Sequence, residues 1–259
     1  MQLSIIIPVY NSSKIIPLLV KKIKSNISKK IKKYEIIMIN DASKDNSWDI
    51  IKKISKFNKS IKGINLKRNF GQHTAIFVGL KFAKGRKIIT MDDDMQHSPN
   101  YILKIYNALD ENDLCYSIYT KRQHGFLRNF ISYINNLLAS ILFNKSIKVY
   151  LSSYRGFRSN IKTNVLKYSG GLIFIDSLLL KNSKKIGLVK VKHEKRHSGQ
   201  STYNIKALFS LWFDMIISYH FLPIRIGSFV GAIATFFVLI IKFSSINKLK
   251  KFEIKSKTF

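Results

Sequence analysis

The sequence predicts an α/β protein with a mostly parallel sheet and helices on both faces. Short apolar runs rich in isoleucine alternate with amphipathic stretches, which is typical of successive strand–helix units. Polar residues follow several of these runs, and a parallel sheet gathers ligand-binding residues at such strand ends. The predicted strands are Leu3–Val9, Tyr34–Asn40, Ile61–Leu66, Lys87–Met91 and Leu114–Tyr119, and the predicted helices are Ile15–Ile27, Ser47–Phe57 and His73–Ala83.

Three of the predicted strands end in side chains suited to one shared ligand. Tyr10 and Asn11 follow the first strand, Asp41 follows the second, and Asp92–Asp94 follow the fourth. Because the carboxyl ends of parallel strands meet at one edge, we expect these residues to lie close together. Carboxylate oxygens there favour a divalent cation bound with a diphosphate. Asx turns at Asp41 and Asp45, or a helix cap at the acidic run, are the structural alternatives.

The two common nucleotide-binding signatures are absent from the sequence. No G-x-G-x-x-G follows the first strand, and no G-x-x-x-x-G-K-[ST] occurs. In Rossmann dehydrogenases and P-loop enzymes these glycines let the backbone approach phosphate groups. The sequence therefore disfavours both classes.

The charge of the chain favours anionic partners. The sequence holds 45 Lys and Arg against 14 Asp and Glu, a formal net charge of +31. Nucleic acid is disfavoured, because zinc-finger spacings, RNP-type strands and basic heptads are all missing. Anionic membrane lipids and phosphate groups fit the charge better. The single cysteine, Cys115, excludes an internal disulfide framework and is consistent with a reducing compartment.

The second half of the sequence carries membrane signals. Phe126–Phe143 is apolar over most of a helix surface and predicts either an interfacial helix or an ordinary core helix. Residues 205–220 predict an amphipathic juxtamembrane helix. Phe221–Ile241 has Arg225 as its only charge and is long enough to cross a bilayer.

These signals divide the chain into an α/β domain over residues 1–204, a juxtamembrane helix over residues 205–220, a transmembrane segment over residues 221–241 and a basic tail over residues 242–259. Both flanks of the apolar segment are rich in lysine, and the positive-inside rule would keep both in the cytoplasm. Three explanations stay open: the tail violates the rule, the apolar segment enters the membrane and returns to the same side, or a second membrane span is missing.

Five motifs in order carry a family resemblance: IIPVYN, INDASKD, RNFGQHTA, MDDDMQ and RHSGQSTY. Together they resemble the inverting family 2 glycosyltransferases, specifically those that use polyprenyl phosphate. The resemblance covers about Leu3 to Arg225. It implies a GT-A fold, a UDP-, GDP- or dTDP-linked sugar donor, Mg²⁺ or Mn²⁺, and a polyprenyl phosphate acceptor. It also implies a membrane-bound enzyme whose catalytic domain faces the cytoplasm.

The resemblance assigns donor-side roles to the strand-end residues. Asp94 would bind the metal with Gln96 beside it, Asp92 would contact the nucleoside, and Asp41 would hydrogen-bond the base. The residues implied in the wall of the base pocket or near it are Pro8, Tyr10, Asn11 and Arg68.

The resemblance also assigns acceptor-side and phosphate-binding roles. Arg155 and Arg158 match a loop that approaches the acceptor, and Asp176 is the nearest downstream carboxylate with a catalytic role. The residues implied in holding phosphate groups are Arg196, Ser201 and Tyr203.

The chain departs from the family pattern in three places. Asn40-Asp41-Ala42 replaces the usual Asp-Asp-Gly, Ser152-Ser153-Tyr154 stands where some relatives have an acidic residue, and one apolar C-terminal segment is visible instead of two. Two alternatives stay open: transfer to a glycan acceptor without phosphate, and a membrane-anchored nucleotide-sugar-binding protein without turnover. Homo-oligomerisation is also left open.

Overall fold

The structure is a computed structural model that describes residues 1–119, 140, 146, 149–170, 173–192 and 254–259. The predictions for most of 126–143, and for all of 205–220 and 221–241, lie outside these residues. Within the described ranges, no helix is both long enough and apolar enough to cross a membrane.

One sheet of eight strands organises the described residues, in the order β7-β5-β6-β4-β1-β2-β3-β8. The strands are β1 Leu3–Val9, β2 Tyr34–Asn40, β3 Ile61–Leu66, β4 Lys87–Thr90, β5 Leu114–Tyr119, β6 Arg155–Arg158, β7 Ile186–Val191 and β8 Ile254–Lys257. The helices are α1 Ile16–Ile27, α2 Ser47–Lys56, α3 Gln72–Phe82, α4 Ile102–Ala108, α5 Ser159–Val165 and α6 Ile175–Lys181, with a 3₁₀ turn over Pro99–Tyr101.

The predicted α/β architecture is confirmed. β4, β1, β2 and β3 are neighbours and parallel, and β5 pairs in parallel with β7. Antiparallel pairing occurs where β6 joins β4 to β5 and where β8 joins the outer side of β3. The ladder from β3 to β4 therefore aligns the carboxyl ends of four strands along one edge.

Alternate residues of β1 show why the sheet is covered on both sides. Ile5 and Ile7 belong to a buried cluster with α1, α2 and α4, whereas Ile6 packs in a second cluster with α3, α5 and α6. Successive side chains of a strand point to opposite faces, so an uninterrupted apolar run needs cover on both. Helix α3 lies especially close, because a Cβ added to Gly79 would come within 2.6 Å of the Ile6 side chain.

The C-terminal strand β8 was not predicted, because the sequence indicated only a basic tail there. It runs antiparallel to β3, with Ile64 opposite Lys257 and Asn65 opposite Ser256. The Gly63 N–H donates to Thr258 Oγ1 at 2.6 Å, and the Thr258 N–H donates back to the Gly63 carbonyl at 3.1 Å. Residues 254–259 are therefore joined to the main sheet.

A fully buried carboxylate, Glu35, connects the strands at the edge where the parallel strands begin. It accepts hydrogen bonds from the Ser4 hydroxyl at 2.6 Å, Lys62 Nζ at 2.7 Å and the Lys84 backbone N–H at 2.6 Å. Burial alone would raise the pKa of Glu35, but these three donors outweigh it and lower the pKa below 4.5. Glu35 is therefore held as a carboxylate, and its bonds join β1, β2, β3 and the turn before β4.

We expect Glu35→Gln to lower the free energy of unfolding by about 3 kcal/mol at neutral pH, because it leaves Lys62 without its charged partner. The contribution of Glu35 is present above its unfolded pKa and is lost as the pH falls through the lowered folded pKa. Urea unfolding at several pH values should show the difference from wild type shrinking below pH 4.5.

The matched control is Asp49→Asn, which removes an exposed ion pair with Lys52 on α2. It should change stability little. An equal effect of the two variants would contradict the structural role of Glu35.

Candidate active site

The loops after β1 and β2 are joined by side-chain-to-backbone hydrogen bonds. Asn11 Oδ1 accepts the Lys44 N–H at 2.8 Å, and the Asn11 N–H donates to Ser43 Oγ at 2.9 Å. Asp45 accepts the Ser13 N–H at 2.9 Å. The predicted Asn11 therefore lies at this edge, where its own side chain fixes one loop against the other.

Asp41 connects the end of β2 to the start of α3. It is buried, and its two carboxylate oxygens accept the backbone N–H groups of Phe70 and Gly71, each at 2.8 Å. Gly71 has φ +86°, a left-handed conformation that favours glycine. Burial raises the pKa of Asp41, and the two N–H donors reduce that rise. The carboxylate shapes the loop in front of α3 and keeps lone pairs for a further donor.

Asp92 begins the acidic turn, residues 92–96, and its carboxylate accepts hydrogen bonds from two segments that are distant in the sequence. Its Oδ1 accepts Gln72 Nε2 at 2.6 Å, and its Oδ2 accepts Ser153 Oγ at 2.7 Å. Gln72 begins α3, and Ser153 precedes β6. The sequence analysis gave neither residue a role, although both lie in stretches that it singled out.

Asp93 links the acidic turn to the loop after β1. Its Oδ2 accepts the Tyr10 backbone N–H at 3.1 Å. Burial, with the neighbouring charges of Asp92 and Asp94, raises the pKa of Asp93 to about 6, against the opposing effect of hydrogen bonds from Ser12 and Tyr10. The family motif assigned no role to Asp93, although it assigned one to each of its two neighbours.

Asp94 and Gln96 are brought together by a tight turn. Asp94 Oδ1 accepts the Gln96 N–H at 3.0 Å, and Met95 between them has φ +64°. Asp94 is buried and Gln96 is half-buried. The predicted metal-binding pair therefore shares one turn at the carboxyl edge of β4.

The oxygen atoms at this turn suit a hard cation. Carboxylate and amide oxygens are preferred by Mg²⁺ and Mn²⁺. Among the described residues, no group of three or more His, Cys, Asp or Glu side chains is arranged to enclose a metal ion. The residues present therefore fit a cation that takes its remaining ligands from a bound diphosphate and water.

The buried His97 ring contacts the backbone of the acidic turn. Its Nδ1 accepts the Asp92 N–H at 3.3 Å, and its Nε2 lies 2.6 Å from the Tyr119 hydroxyl. Because Nδ1 acts as an acceptor, the proton of the neutral ring is on Nε2 and is donated to Tyr119. The ring also stacks on Tyr154, with centroids 5.1 Å apart. His97 therefore holds the backbone from which Asp92 projects.

Arg155 and Asp176 form a buried ion pair beneath the turn. Arg155 NH1 donates to Asp176 Oδ1 and to the Ser152 carbonyl, and the Tyr116 hydroxyl donates to the same Asp176 oxygen at 2.8 Å. Burial alone would lower the pKa of Arg155, but Asp176 outweighs it and raises the pKa, so Arg155 stays charged. The Asp176 carboxylate is buried and enclosed with Arg155, and the catalytic role expected of it stays a prediction.

Arg158 is not brought to the site. It pairs with Lys87 at the start of β4, whereas Arg155 pairs with Thr90 at the end. Its Nε donates to the Leu109 carbonyl at 2.8 Å and its NH2 to the Asp110 carbonyl at 2.6 Å. Arg158 therefore closes the carboxyl end of α4 at the opposite edge, and its expected place in the loop that approaches the acceptor stays a prediction.

The remaining predicted residues surround the site or lie beyond the described chain. Tyr10 is exposed at the rim, and Pro8 is half-buried at the end of β1. Arg68 is exposed, with its guanidinium carbon 4.8 Å from the centre of the Phe70 ring. The residues outside the described part of the chain are Arg196, Ser201 and Tyr203.

The site therefore combines acidic side chains at the carboxyl edge of a parallel sheet with the absence of a glycine-rich phosphate loop after the first strand. The sequence model described as Glycosyl transferase family 2 matches residues 4–164. The chain belongs to this family and is a glycosyltransferase.

Known proteins support the assignment at two levels. The chain is 32% identical over 247 residues to an undecaprenyl-phosphate 4-deoxy-4-formamido-L-arabinose transferase of Yersinia pestis, a match that covers 93% of this chain and 76% of that protein. A corresponding transferase of Yersinia enterocolitica is 30% identical over 234 residues, covering 90% of this chain and 72% of that protein.

A solved structure shows the same fold at low identity. Glucosyl-3-phosphoglycerate synthase from Mycobacterium tuberculosis, in complex with Mn²⁺, UDP and phosphoglyceric acid, matches with a TM-score of 0.60 and 14% identity. The match covers 84% of this chain and 76% of that one. The fold is therefore shared with an enzyme crystallised with a divalent metal and a nucleotide.

The stability of the site's supporting core should depend on pH through His73. This side chain packs against the Phe174 ring, and its buried Nδ1 has no hydrogen-bond partner. Burial, with the positive charge of Arg155, lowers the pKa of His73 to about 4, although Asp176 opposes the shift. The folded protein therefore binds this proton less well than the unfolded chain does.

We expect wild type to lose up to about 3 kcal/mol of stability relative to His73→Gln as the pH falls from 6.5 to about 4. Protonation of the unfolded chain drives this loss, so the two proteins should keep a constant difference above pH 6.5. Chemical unfolding across this range measures it. A constant difference at every pH would show that His73 does not titrate on unfolding.

Proposed function

We propose that this glycosyltransferase moves a sugar from a nucleotide-sugar donor to a polyprenyl phosphate, with inversion at the anomeric carbon. A phosphate oxygen of the acceptor forms the new bond to that carbon, and the bond to the donor diphosphate breaks. The nucleoside diphosphate leaves with the bonding electron pair. The observation that carries the proposal is the convergence of Asp41, Asp92 and Asp94 at one sheet edge.

The donor half of the proposal assigns each strand end a part of the nucleotide sugar. Asp41 would bind the base through its remaining lone pairs, with Pro8, Tyr10 and Asn11 as the pocket wall. Asp92 would meet the nucleoside, since Gln72 and Ser153 hold it in one orientation. Arg68 lies exposed on the loop next to Asp41 and would contact the bound nucleotide from there.

Asp94 and Gln96 would hold Mg²⁺ or Mn²⁺ against the donor diphosphate. Such a cation, when bound, neutralises the negative charge that develops on the departing diphosphate. The protein's own contribution is to fix both oxygen ligands on one turn, where the bond from the Gln96 N–H orients the Asp94 carboxylate.

The acceptor half needs little base catalysis from the protein. A phosphate monoester has a second pKa near 6 and is mostly ionised at neutral pH, so it is already a nucleophile. This is consistent with the enclosure of Asp176, which we assign to holding Arg155 and, through it, the Ser152 carbonyl. Arg196, Ser201 and Tyr203 are proposed to hold phosphate groups, on the strength of the motif alone.

Membrane attachment is part of the proposal. The sequence of 221–241 supports insertion, and residues 126–143 and 205–220 support contact with the interface. Anionic lipids would add an electrostatic attraction for a chain of net charge +31. The relatives from Yersinia are transferases named for undecaprenyl phosphate, which supports a lipid phosphate acceptor.

The direct test incubates membranes that contain the full chain with labelled nucleotide sugars, a polyprenyl phosphate and Mn²⁺. We expect label in an organic-soluble product, and its loss on adding EDTA. Asp94→Asn should lower the rate at least about 100-fold, because it removes a charged ligand of the diphosphate-bound cation. The matched control Asp49→Asn makes the same chemical change on the exposed face of α2 and should keep full activity.

The outcomes separate the alternatives. Transfer only to a glycan that lacks phosphate would replace the proposed acceptor. Donor binding without any transfer would make the protein a binding module. Equal activity of Asp94→Asn and wild type would remove the proposed metal site.

His97 should act as a positioning residue for the acidic turn. His97→Leu removes the acceptor of the Asp92 N–H, so we expect the transferase activity to fall about 10-fold or more. We also expect a rise in the Mn²⁺ requirement, measured as the concentration that gives half-maximal activity. His97→Asn can accept the same N–H and should restore part of both. A variant that is less stable but has the wild-type Mn²⁺ requirement would assign His97 a purely structural role.

A further inference from the structure

Three loops of the candidate site each contain a residue other than glycine in the left-handed backbone region. Asn11 follows β1 with φ +54°, Ala42 follows β2 with φ +53°, and Met95 lies in the acidic turn after β4 with φ +64°. Within the described ranges these three are the complete set. Because a Cβ atom makes this conformation unfavourable, the residues that keep it tend to cluster at functional sites.

Met95 differs from the other two in its side chain. Asparagine visits the left-handed region readily, and the Asn11 side chain also accepts the Lys44 N–H. Ala42 carries only a methyl group. Met95 has a long apolar side chain at a position where glycine would adopt the same backbone without cost. The side chain of Met95 therefore needs an explanation of its own.

The Met95 side chain is buried in the core next to the turn. It is 3% exposed and belongs to the cluster that Ile5 and Ile7 form with α1, α2 and α4. Asp94 and Gln96, the residues on either side of it, carry the oxygen atoms that suit a cation. One apolar side chain is therefore held in the core between the two candidate ligands.

The hydrogen bond within the turn fixes its shape but not its position. Asp94 Oδ1 accepts the Gln96 N–H at 3.0 Å, and both groups would move together if the turn shifted. A side chain buried between them connects the turn to a close-packed core that resists displacement. Ligands must be held to within about 0.5 Å for a metal site to keep its geometry. The burial of Met95 supplies this kind of restraint.

We propose that Met95 is a positioning residue for the cation site, because its buried side chain anchors the left-handed turn that presents Asp94 and Gln96. The inference deepens the proposed function and rests on it, since that function assigns the cation to these two residues. The backbone of Met95 gives the turn its shape, and the side chain fixes where the turn lies. Met95 is not itself a ligand, because a thioether sulfur is a soft donor that does not suit Mg²⁺ or Mn²⁺.

A role in core packing alone predicts a different result. Truncation of any buried methionine leaves a cavity and lowers stability. Met38 offers the matched comparison, because it is 0% exposed and belongs to the same cluster but lies within β2 instead of the turn. Truncation at the two positions should therefore affect stability in both cases and metal binding in only one.

Mn²⁺ binding to the detergent-solubilised full chain measures the anchor without requiring turnover. Free Mn²⁺ is followed by its electron paramagnetic resonance signal in the presence of UDP, GDP or dTDP, whichever wild type binds most tightly together with Mn²⁺. Urea unfolding of the same preparations reports stability. Asp94→Asn defines the binding that remains when the proposed cation site is lost.

Met95→Ala should raise the Mn²⁺ concentration at half-saturation about 10-fold, because the turn loses its anchor. Met38→Ala should keep the wild-type value, although both variants should lower the urea midpoint. Equal weakening of Mn²⁺ binding by the two variants, or wild-type binding by Met95→Ala, would overturn the inference.

An isomeric pair of variants tests the left-handed conformation while keeping an apolar side chain. Leucine and isoleucine have the same atoms, but the branched Cβ of isoleucine makes a positive φ more unfavourable. Met95→Leu should bind Mn²⁺ within about 2-fold of wild type, whereas Met95→Ile should bind it at least about 5-fold more weakly. Equal binding by the two would contradict the inference, and this comparison holds even if Met95→Ala does not fold.

The reference variant separates failure of the inference from failure of the proposed function. Weak binding by Asp94→Asn, together with wild-type binding by Met95→Ala and Met95→Ile, would overturn the inference alone. Wild-type binding by Asp94→Asn would overturn the proposed cation site and the inference with it. The same conclusion would follow if wild type bound no Mn²⁺ with any of the three nucleotides.

Discussion

The crowding of negative charge at one sheet edge is the constraint around which the site is built. Asp92, Asp93 and Asp94 are consecutive, so their repulsion must be met by donors from elsewhere in the fold. Each meets a different donor: Gln72 and Ser153 for the first, the Tyr10 N–H for the second, and the Gln96 N–H for the third. These bonds draw β1, α3 and β6 to one turn, so the electrostatics of the ligand site also organises the tertiary structure around it.

The repeated strand–helix units of the fold could be predicted from the sequence. Each strand–helix unit carries its own apolar period, so α3 was placed to within a residue from local pattern alone. The same pattern indicated which strand ends would converge, and Asp41, Asp92 and Asp94 do lie at the edge expected of them. Their individual roles remain proposals, because position at a sheet edge does not specify a ligand atom.

The features that the sequence did not predict depend on partners distant in the chain. Arg155 and Arg158 look equivalent in the motif, yet antiparallel pairing with β4 sends them to opposite edges. β8 is short and lysine-rich, and it forms a strand only because β3 presents an open edge to it. Ser153 and Gln72 became visible as supports of Asp92 only when three loops met.

The close packing of α3 has a consequence for how members of this fold can diverge. Gly79 leaves no room between the helix and β1, and Gln72 at the other end of the helix is bonded to Asp92. A methyl group at Gly79 would come within 2.6 Å of the Ile6 side chain and 2.8 Å of the Ile39 side chain, so these side chains or the helix would have to shift. Substitutions on α3 are therefore constrained both by packing at Gly79 and by the bond between Gln72 and Asp92. New donor preferences should accordingly evolve in the loops, with the helix inherited almost unchanged.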